Sequence, residues 1–271
     1  MTESHRFTLT FWGVRGSIAT PQSSHLGYGG NTTCVELRAP GQAPLIIDAG
    51  TGIRQLGLQL GRETKPTILF THFHWDHIQG LPFFAPLFSK QSEVNFVSTQ
   101  PPKQLRAVLD GLLQAPYHPI NIDAFQAETV FHEIDRPRSD CGFRIAPFEL
   151  NHPQGATGFR LERDGAVVVH ASDNEHGNAL LDELLYENSK GADLLIYDAQ
   201  YTPESYQRNC GRGHSTWLEA VKLASRARVK RLVLFHHDPN HTDDDLDVIV
   251  AKARAEFPET ILAREGETLF I

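Results

Sequence analysis

The sequence predicts an α/β fold in which sheets pack together beneath covering helices. Two observations carry that prediction. Short runs of apolar and β-branched residues, bounded by Gly, Pro, Asn or Asp, recur along both halves of the 271-residue chain. Helical segments fall between some of these runs, which suits sheets stacked face to face with helices outside. A third observation points to function: His, Asp and Asn gather where apolar strands stop.

In chain order, "RFTLTFWG", "TTCVELRA", "APLIIDAG" and "PTILFTH" read as strands. "GLPFFAPLF" reads as a Pro-punctuated loop or short helix, and "SEVNFVST" as another strand. "PPKQLRAVLDGLLQAP" reads as a helix with Pro near its start. In the second half "GFRIAPFEL", "ATGFRLER" and "AVVVHASD" are strands, and "NALLDELLYENSKG" is a helix ended by Gly191. "ADLLIYDAQ" is a strand. "HSTWLEAVKLASRAR" is an amphipathic helix, with Trp217, Ala220, Val221 and Ala224 on one face. "VKRLVLFHHDP" is a strand, and "TDDDLDVIVAKARAEF" is a helix with Thr242 as its N-cap and acidic residues in its first turn. A final strand pair closes the chain. With no internal repeat and no low-complexity linker, residues 1–271 read as a single domain.

A hydrophobic content of 40% and a charged content of 21% describe an ordinary globular protein. The formal net charge of −8 argues against a protein built to grip a long phosphate backbone, which needs Lys and Arg to replace counterions. A small phosphorylated substrate remains compatible with it. Cys34, Cys141 and Cys210 are widely spaced, form no CxxC pair and suggest no disulfide framework, which suits a reducing compartment. The N-terminus lacks the pattern of a signal peptide and no apolar run is long enough to span a bilayer, so the expected location is cytoplasmic.

The strand ends carry the chemistry. "TILF" runs into His72, His74, Asp76 and His77; "FEL" into Asn151 and His152; "AVVVHAS" into Asp173; "LVLF" into His236 and His237. On an extended approach His72 and His74 point the same way, because side chains alternate with period two. If a helix begins there, Asp76 and His77 lie on its first turn. His72, His74, Asp76, His77, His152, Asp173 and His236 supply enough donors for two divalent cations of the borderline kind, with the Asp173 carboxylate able to bridge. Taken alone, His152 or Asp173 would pass for a turn residue; the density of the first cluster makes the others coherent with it.

With "THFHWDH", "NHP", "ASDNE" and "LFHHDP" in this order, the chain resembles the metallo-β-lactamase superfamily across essentially its whole length. That resemblance implies a four-layer αββα sandwich with a dinuclear metal site at one edge. It implies that His72, His74 and His152 hold one ion, that Asp76, His77 and His236 hold the other, and that Asp173 bridges them. His237 competes for the last place, and His236 is preferred because it directly follows the strand. Zn²⁺ is the first expectation for both ions and Mn²⁺ the alternative.

"GRGHSTWLEAVKLASRARVKRLVLFHHDP" resembles the C-terminal segment of ribonuclease Z-like phosphodiesterases. By that resemblance His214 assists phosphoester cleavage and Asp198, in "YDAQY", orients it, where ribonuclease Z usually has Glu. "FWGVRGSIATP", "YGGNTTCVELR" and "HWDHIQGLPFFAPLF" are similar to a bacterial subgroup of phosphoribosyl and cyclic-nucleotide phosphodiesterases that includes anti-Pycsar proteins. In these Gly-rich loops Arg15 and Asn31 are expected to touch substrate phosphate. Asp48 in "DAGTG" is expected behind a metal-bound histidine. The resemblance therefore implies a metal-dependent phosphodiesterase acting on a small cyclic phosphodiester, foremost a 3′,5′-cyclic nucleotide, with Asp76 both ligating and accepting a proton, and it hints at a homodimer. The rival readings are a 5′-to-3′ DNA exonuclease, a tRNA 3′-processing endonuclease, a phosphoribosyl 1,2-cyclic phosphate phosphodiesterase, and a nucleotide-binding sensor without turnover.

Overall fold

Alternation along the strands sets the layers. In β1 (Thr8–Gly13) every second residue is buried, and Leu9 and Phe11 enter a central core. The following strands, β2 (Cys34–Arg38), β3 (Leu45–Ile47), β4 (Thr67–Leu69) and β5 (Glu93–Ser98), are buried on both faces. Their residues divide by parity: Val35, Leu37, Leu45, Ile47, Leu69 and Val97 face inward, while Cys34, Ile46, Ile68, Val94 and Phe96 face outward. An edge strand, β6 (Glu128–Glu133), completes this side. The computed structural model describes residues 6–271.

The second sheet is built from β7 (Arg138–Asp140), β8 (Phe143–Leu150), β9 (Ala156–Arg163), β10 (Ala166–Ala171), β11 (Leu194–Asp198), β12 (Leu232–Phe235) and β13 (Thr260–Leu262), which lie in sequence order across it. Phe143, Ile145, Phe159, Leu161, Val168, Ile196, Val233 and Phe235 meet the inner face of the first sheet. Each such side chain, fully buried, contributes roughly 1.5–3 kcal/mol. The last strand, β14 (Thr268–Phe270), crosses back to pair antiparallel with β1.

Helices cover both outer faces. On the first sheet lie α1 (Ile53–Leu60) and α3 (Pro102–Leu112), together with the short α2 (Trp75–Ile78). On the second lie α4 (Ala179–Ser189), α6 (Trp217–Ala227) and α7 (Asp243–Glu256), with the single-turn α5 (Pro203–Tyr206) between α4 and α6. The architecture is therefore the expected four-layer αββα sandwich. Thr242 caps α7 as the sequence suggests: its side chain accepts from Asp245 N, and the Asp245 carboxylate accepts from Thr242 N at 2.9 Å.

Three readings need correction. The closing strands do not pair with each other; β13 joins β12 in one sheet and β14 joins β1 in the other. The strands β6 and β7 went unread because both are edge strands whose residues are only partly buried, so their apolar pattern is weak. Helix α1 was missed because Gly57 interrupts it and no side chain caps it; a Cβ at Gly57 would stand 2.8 Å from the Phe84 ring, so only glycine lets α1 pack so closely.

Strand direction positions the site. The pairs β3–β4, β4–β5, β10–β11 and β11–β12 are all parallel. Their carboxyl ends open onto one edge of the sandwich, where the loops carry the polar residues.

Candidate metal centre

After β4 the chain stays extended through His72 and His74, then turns into α2 at Trp75. His72 and His74 consequently lie side by side, their ring centroids 4.4 Å apart. Asp76 and His77 occupy the first turn of α2 and are both buried. From the second sheet, Asp173 follows β10 and His236 follows β12, each with φ of 60°. Asp48, after β3, has φ of 61°. Three non-glycine residues in the left-handed region at one edge of a sandwich mark a strained cluster that its surroundings must hold in place.

Two groups of donor atoms result at the centre, and a third, Asp173, Asp198, His214 and His236, overlaps the second of them. His72, His74 and His152 form one; Asp76, His77, Asp173 and His236 form the other; within each group the donor atoms lie within 4.8 Å of one another. Asp173 stands between them. Its Oδ1 is 3.9 Å from the Nε2 of both His72 and His152 and 3.3 Å from His236 Nε2, while its Oδ2 is 3.2 Å from His77 Nε2. Asp76 Oδ2 lies 3.3 Å from His77 Nε2 and 3.2 Å from His236 Nε2.

Divalent cations fit this arrangement. The Nε2 atoms of His72 and His77 are buried without a hydrogen-bond partner, which a protein interior rarely tolerates. Burial drives the His72 imidazole well below its ordinary pKa, and burial lowers His152 too. Both therefore offer neutral lone pairs, the form that ligates metal. Burial would raise the Asp76 carboxyl, but His77 and His236 outweigh it and keep Asp76 ionised.

A further ring of contacts orients these groups. His77 Nδ1 is 2.8 Å from Asp48 Oδ2, and Thr71 N donates to Asp48 Oδ1 at 2.8 Å. The Thr71 hydroxyl sits 3.0 Å from His72 Nδ1. His152 Nδ1 donates to the Gly213 carbonyl at 2.8 Å. In each case the Nδ1 contact turns Nε2 toward the centre. His237 does otherwise: its Nε2 donates to the Ala263 carbonyl at 2.8 Å, away from the cluster, and it is His236 that joins Asp76 and Asp173.

His214 and Asp198 adjoin the second group. His214 Nδ1 lies 2.9 Å from Asp198 Oδ2 and 3.8 Å from Asp173 Oδ1. Burial opposes the imidazolium, but the Asp198 carboxylate and its hydrogen bond prevail and raise His214 to about 9. Asp198 is held in turn by donation from Ser215 N and Gln200 N to its Oδ1 and from Asp173 N to its Oδ2, each at 3.1 Å.

The Gly-rich N-terminal loops take a different part from the one expected. Arg15 is fully buried and its guanidinium donates to the carbonyls of Gly29, His25, Asp238 and His241. Four of its five N–H donors are thus engaged, Nη2 also lies 3.9 Å from Asp243 Oδ1, and the group is closed off from solvent, so Arg15 is corrected to an anchor of its loop. Asn31 gives its side-chain amide and its backbone N–H to Glu265, and it too stays out of the cluster. The backbone of the "GVRGS" loop does reach the site, though not to bind phosphate: Ser17 N donates to Asp76 Oδ2 at 2.8 Å. Gly16 makes this approach possible, since a Cβ there would stand 2.4 Å from the His236 ring.

Two residues escaped the sequence reading. Glu175 accepts from Gly211 N at 2.7 Å and Gly213 N at 2.8 Å, and so fixes the loop that carries His214 and presents the Gly213 carbonyl to His152. Gly213 has φ of 88°, and a Cβ on it would meet His152 Nδ1 at 2.3 Å. The signal was present in "ASDNE" and "GRGHS", but a carboxylate that acts through backbone amides has no spacing rule to reveal it.

Comparison with known proteins agrees with this geometry. Residues 44–237 match the beta-lactamase superfamily domain. A ribonuclease Z of Synechococcus sp. (strain CC9311) is 26% identical, with 95% of this chain and 96% of that protein covered. Among solved structures, the metallo-beta-lactamase fold protein YhfI from Bacillus subtilis superposes with a TM-score of 0.75 at 19% identity, covering 98% of this chain and 99% of the other. A diphosphatase from the PhnP family superposes with a TM-score of 0.72 at 21% identity, with 98% of each chain covered. With its two stacked sheets, its His/Asp cluster at their common edge and a family match over most of its length, the chain belongs to the metallo-β-lactamase superfamily.

Proposed function

We propose that this protein is a metal-dependent phosphodiesterase acting on a small cyclic phosphodiester, foremost a 3′,5′-cyclic nucleotide. The observation that carries the reading is the His214–Asp198 pair set against Asp173 at the edge of the donor cluster. His72, His74 and His152 would hold one divalent ion, Asp76, His77 and His236 the other, and Asp173 would face both; Zn²⁺ suits these donors first and Mn²⁺ second. Such a pair, when bound, lowers the pKa of a shared water and offsets charge on a phosphoryl group.

The chain's own residues supply the rest. With Nδ1 committed to Asp198, His214 has Nε2 free to donate a proton to the departing ester oxygen or a hydrogen bond to the phosphoryl oxygens. Asp198 keeps that ring in one tautomer. Asp76, held by Ser17 N, is placed to accept the proton released by the attacking water. The Synechococcus relative is named a ribonuclease Z, which supports phosphodiester chemistry and raises an RNA substrate as the second reading. The net charge of −8 favours the small substrate over the polyanion.

The test is a panel of cyclic mononucleotides, cyclic dinucleotides, phosphoribosyl cyclic phosphate, single-stranded DNA and precursor tRNA, assayed with Zn²⁺ and Mn²⁺. Turnover of a cyclic mononucleotide that drops about 10²–10⁴-fold in His214→Ala is the expected result. Cleavage of precursor tRNA or DNA without any cyclic nucleotide turnover overturns the small-substrate reading.

A further inference from the structure

The edge that bears the metal cluster also bears a second cavity of about 450 Å³. Phe73 and His74 line both this cavity and the mouth where Ser17, Asp76, Asp173 and His214 converge, so the two adjoin across these side chains. The cavity is bounded by residues of both sheets. Thr157 N, at the start of β9, donates to the Thr71 carbonyl at 2.9 Å, and the Thr157 and Thr99 hydroxyls lie 3.3 Å apart across the sandwich. These bonds hold the walls in position before any ligand arrives.

The lining has a definite chemistry. Ile134, Phe148 and Ala156 are buried and provide apolar surface. Gln100 and Gln154 are exposed at the opening and offer amide donors and acceptors. The charged residues along it are Asp135 and Glu149; no Lys or Arg is among the described residues that line it. Arg136 stands 3.9 Å from Asp135 but outside the lining; with carboxylates as its only charged groups the opening disfavours an additional phosphate, while apolar walls with a polar opening suit an uncharged, hydrogen-bonding ring. The volume falls within the range of about 300–1,000 Å³ typical of small-molecule pockets.

We infer that this cavity is the specificity pocket for the organic group of the substrate: an uncharged moiety of nucleoside size, carrying no phosphate beyond the one at the metal cluster. The inference rests on the phosphodiesterase reading above and narrows it. It places the phosphoryl group beside His74 and the rest of the molecule beyond Phe73. A polynucleotide, with a phosphate on each side of every nucleoside, is disfavoured at Asp135 and Glu149.

Thr99→Trp would fill the opening from an exposed position, and Thr99→Ser would keep the hydroxyl contact without filling it. Both are compared with wild type on thymidine 5′-(p-nitrophenyl phosphate) and on methyl p-nitrophenyl phosphate, which share a leaving group. Thr99→Trp is expected to lower kcat/KM for the thymidine ester about tenfold or more while sparing the methyl ester, and Thr99→Ser, which keeps the hydroxyl, to spare both. Equal effects on the two esters overturn the pocket and leave the phosphodiesterase reading standing. Calorimetric titration of wild type with thymidine gives an independent readout: binding that disappears in Thr99→Trp is expected, and no binding to wild type overturns the pocket. Thymidine binding without hydrolysis of either ester would overturn the phosphodiesterase reading and leave the pocket. The double variant Asp135→Asn/Glu149→Gln is expected to raise kcat/KM several-fold for thymidine 3′-phosphate 5′-(p-nitrophenyl phosphate) alone; no rise overturns the exclusion of a second phosphate.

Discussion

Asp48 Oδ2 lies 2.8 Å from His77 Nδ1, and both groups are buried. The contact joins the end of β3 to the first turn of α2 and turns His77 Nε2 toward Asp76 and Asp173. Asp48 touches none of the other proposed ligands, yet it decides which nitrogen of His77 is free. Asp48→Asn is expected to weaken binding of Zn²⁺ about 10–100-fold, measured by competition with a chelating dye. An affinity equal to wild type would show that His77 needs no such partner.

Gly16 makes a sharper steric prediction. In Gly16→Ala the new methyl would stand 2.4 Å from the His236 ring and 2.6 Å from Gln200 Oε1. Either both side chains yield or the loop backs away and carries Ser17 N from Asp76; each outcome disturbs the donor cluster. The variant is expected to retain its overall fold by circular dichroism but to hold less metal after dialysis, measured by elemental analysis. Full metal content in this variant would contradict the close approach.

The neighbouring histidines separate ligation from packing. His236→Ala is expected to lose metal. His237→Ala is expected to keep its metal content but to lose roughly 1–3 kcal/mol of stability, because it leaves the buried Ala263 carbonyl without its donor. Chemical denaturation alongside metal analysis distinguishes the two. Swapped outcomes would move the proposed ligand to His237.

His170 predicts a pH effect on stability. Burial, with the nearby charge of His77 adding to it, lowers its pKa from 6.5 to about 3, and its Nδ1 has no hydrogen-bond partner. The folded chain therefore keeps His170 neutral while the unfolded chain takes up a proton below about pH 6.5. Stability contributed by the neutral ring is complete above that pH and is lost as pH falls toward 3. The slope from one such group is ~1.4 kcal/mol per pH unit. His170→Phe is expected to flatten the dependence by about that amount in urea titrations of the metal-free protein between about pH 4 and 6; an unchanged slope would mean the ring is already charged in the folded state.

Much of the site was legible because its ligands sit at strand ends, and an apolar run that stops at His or Asp is visible in one dimension. "TILFTHFHWDH" shows both the strand and the four donors that follow it. The later donors His152, Asp173 and His236 are single residues at separate strand ends, and only the dense first cluster makes them coherent. Arg15 was misread because an arginine between glycines looks the same in sequence whether it reaches outward to a phosphate or inward to four carbonyls. Glu175 was missed because its partners are backbone amides, which every residue but proline carries. Among the elements, β6 escaped notice because a half-exposed edge strand buries too little to show a period.

The donor set is divided between the halves of the chain. His72, His74, Asp76 and His77 belong to the first sheet's side, and His152, Asp173 and His236 to the second's. Neither side alone gathers the seven residues, so a growing polypeptide lacks the complete cradle until β12 has been made and has docked. Ions held from both sides would act as rivets between them, and their capture would record that the two sheets have met in register. On this account a chelator should loosen the join between the halves before it melts either one, and the earliest sign of damage in the protein would be a seam opening at the edge where the chemistry is placed.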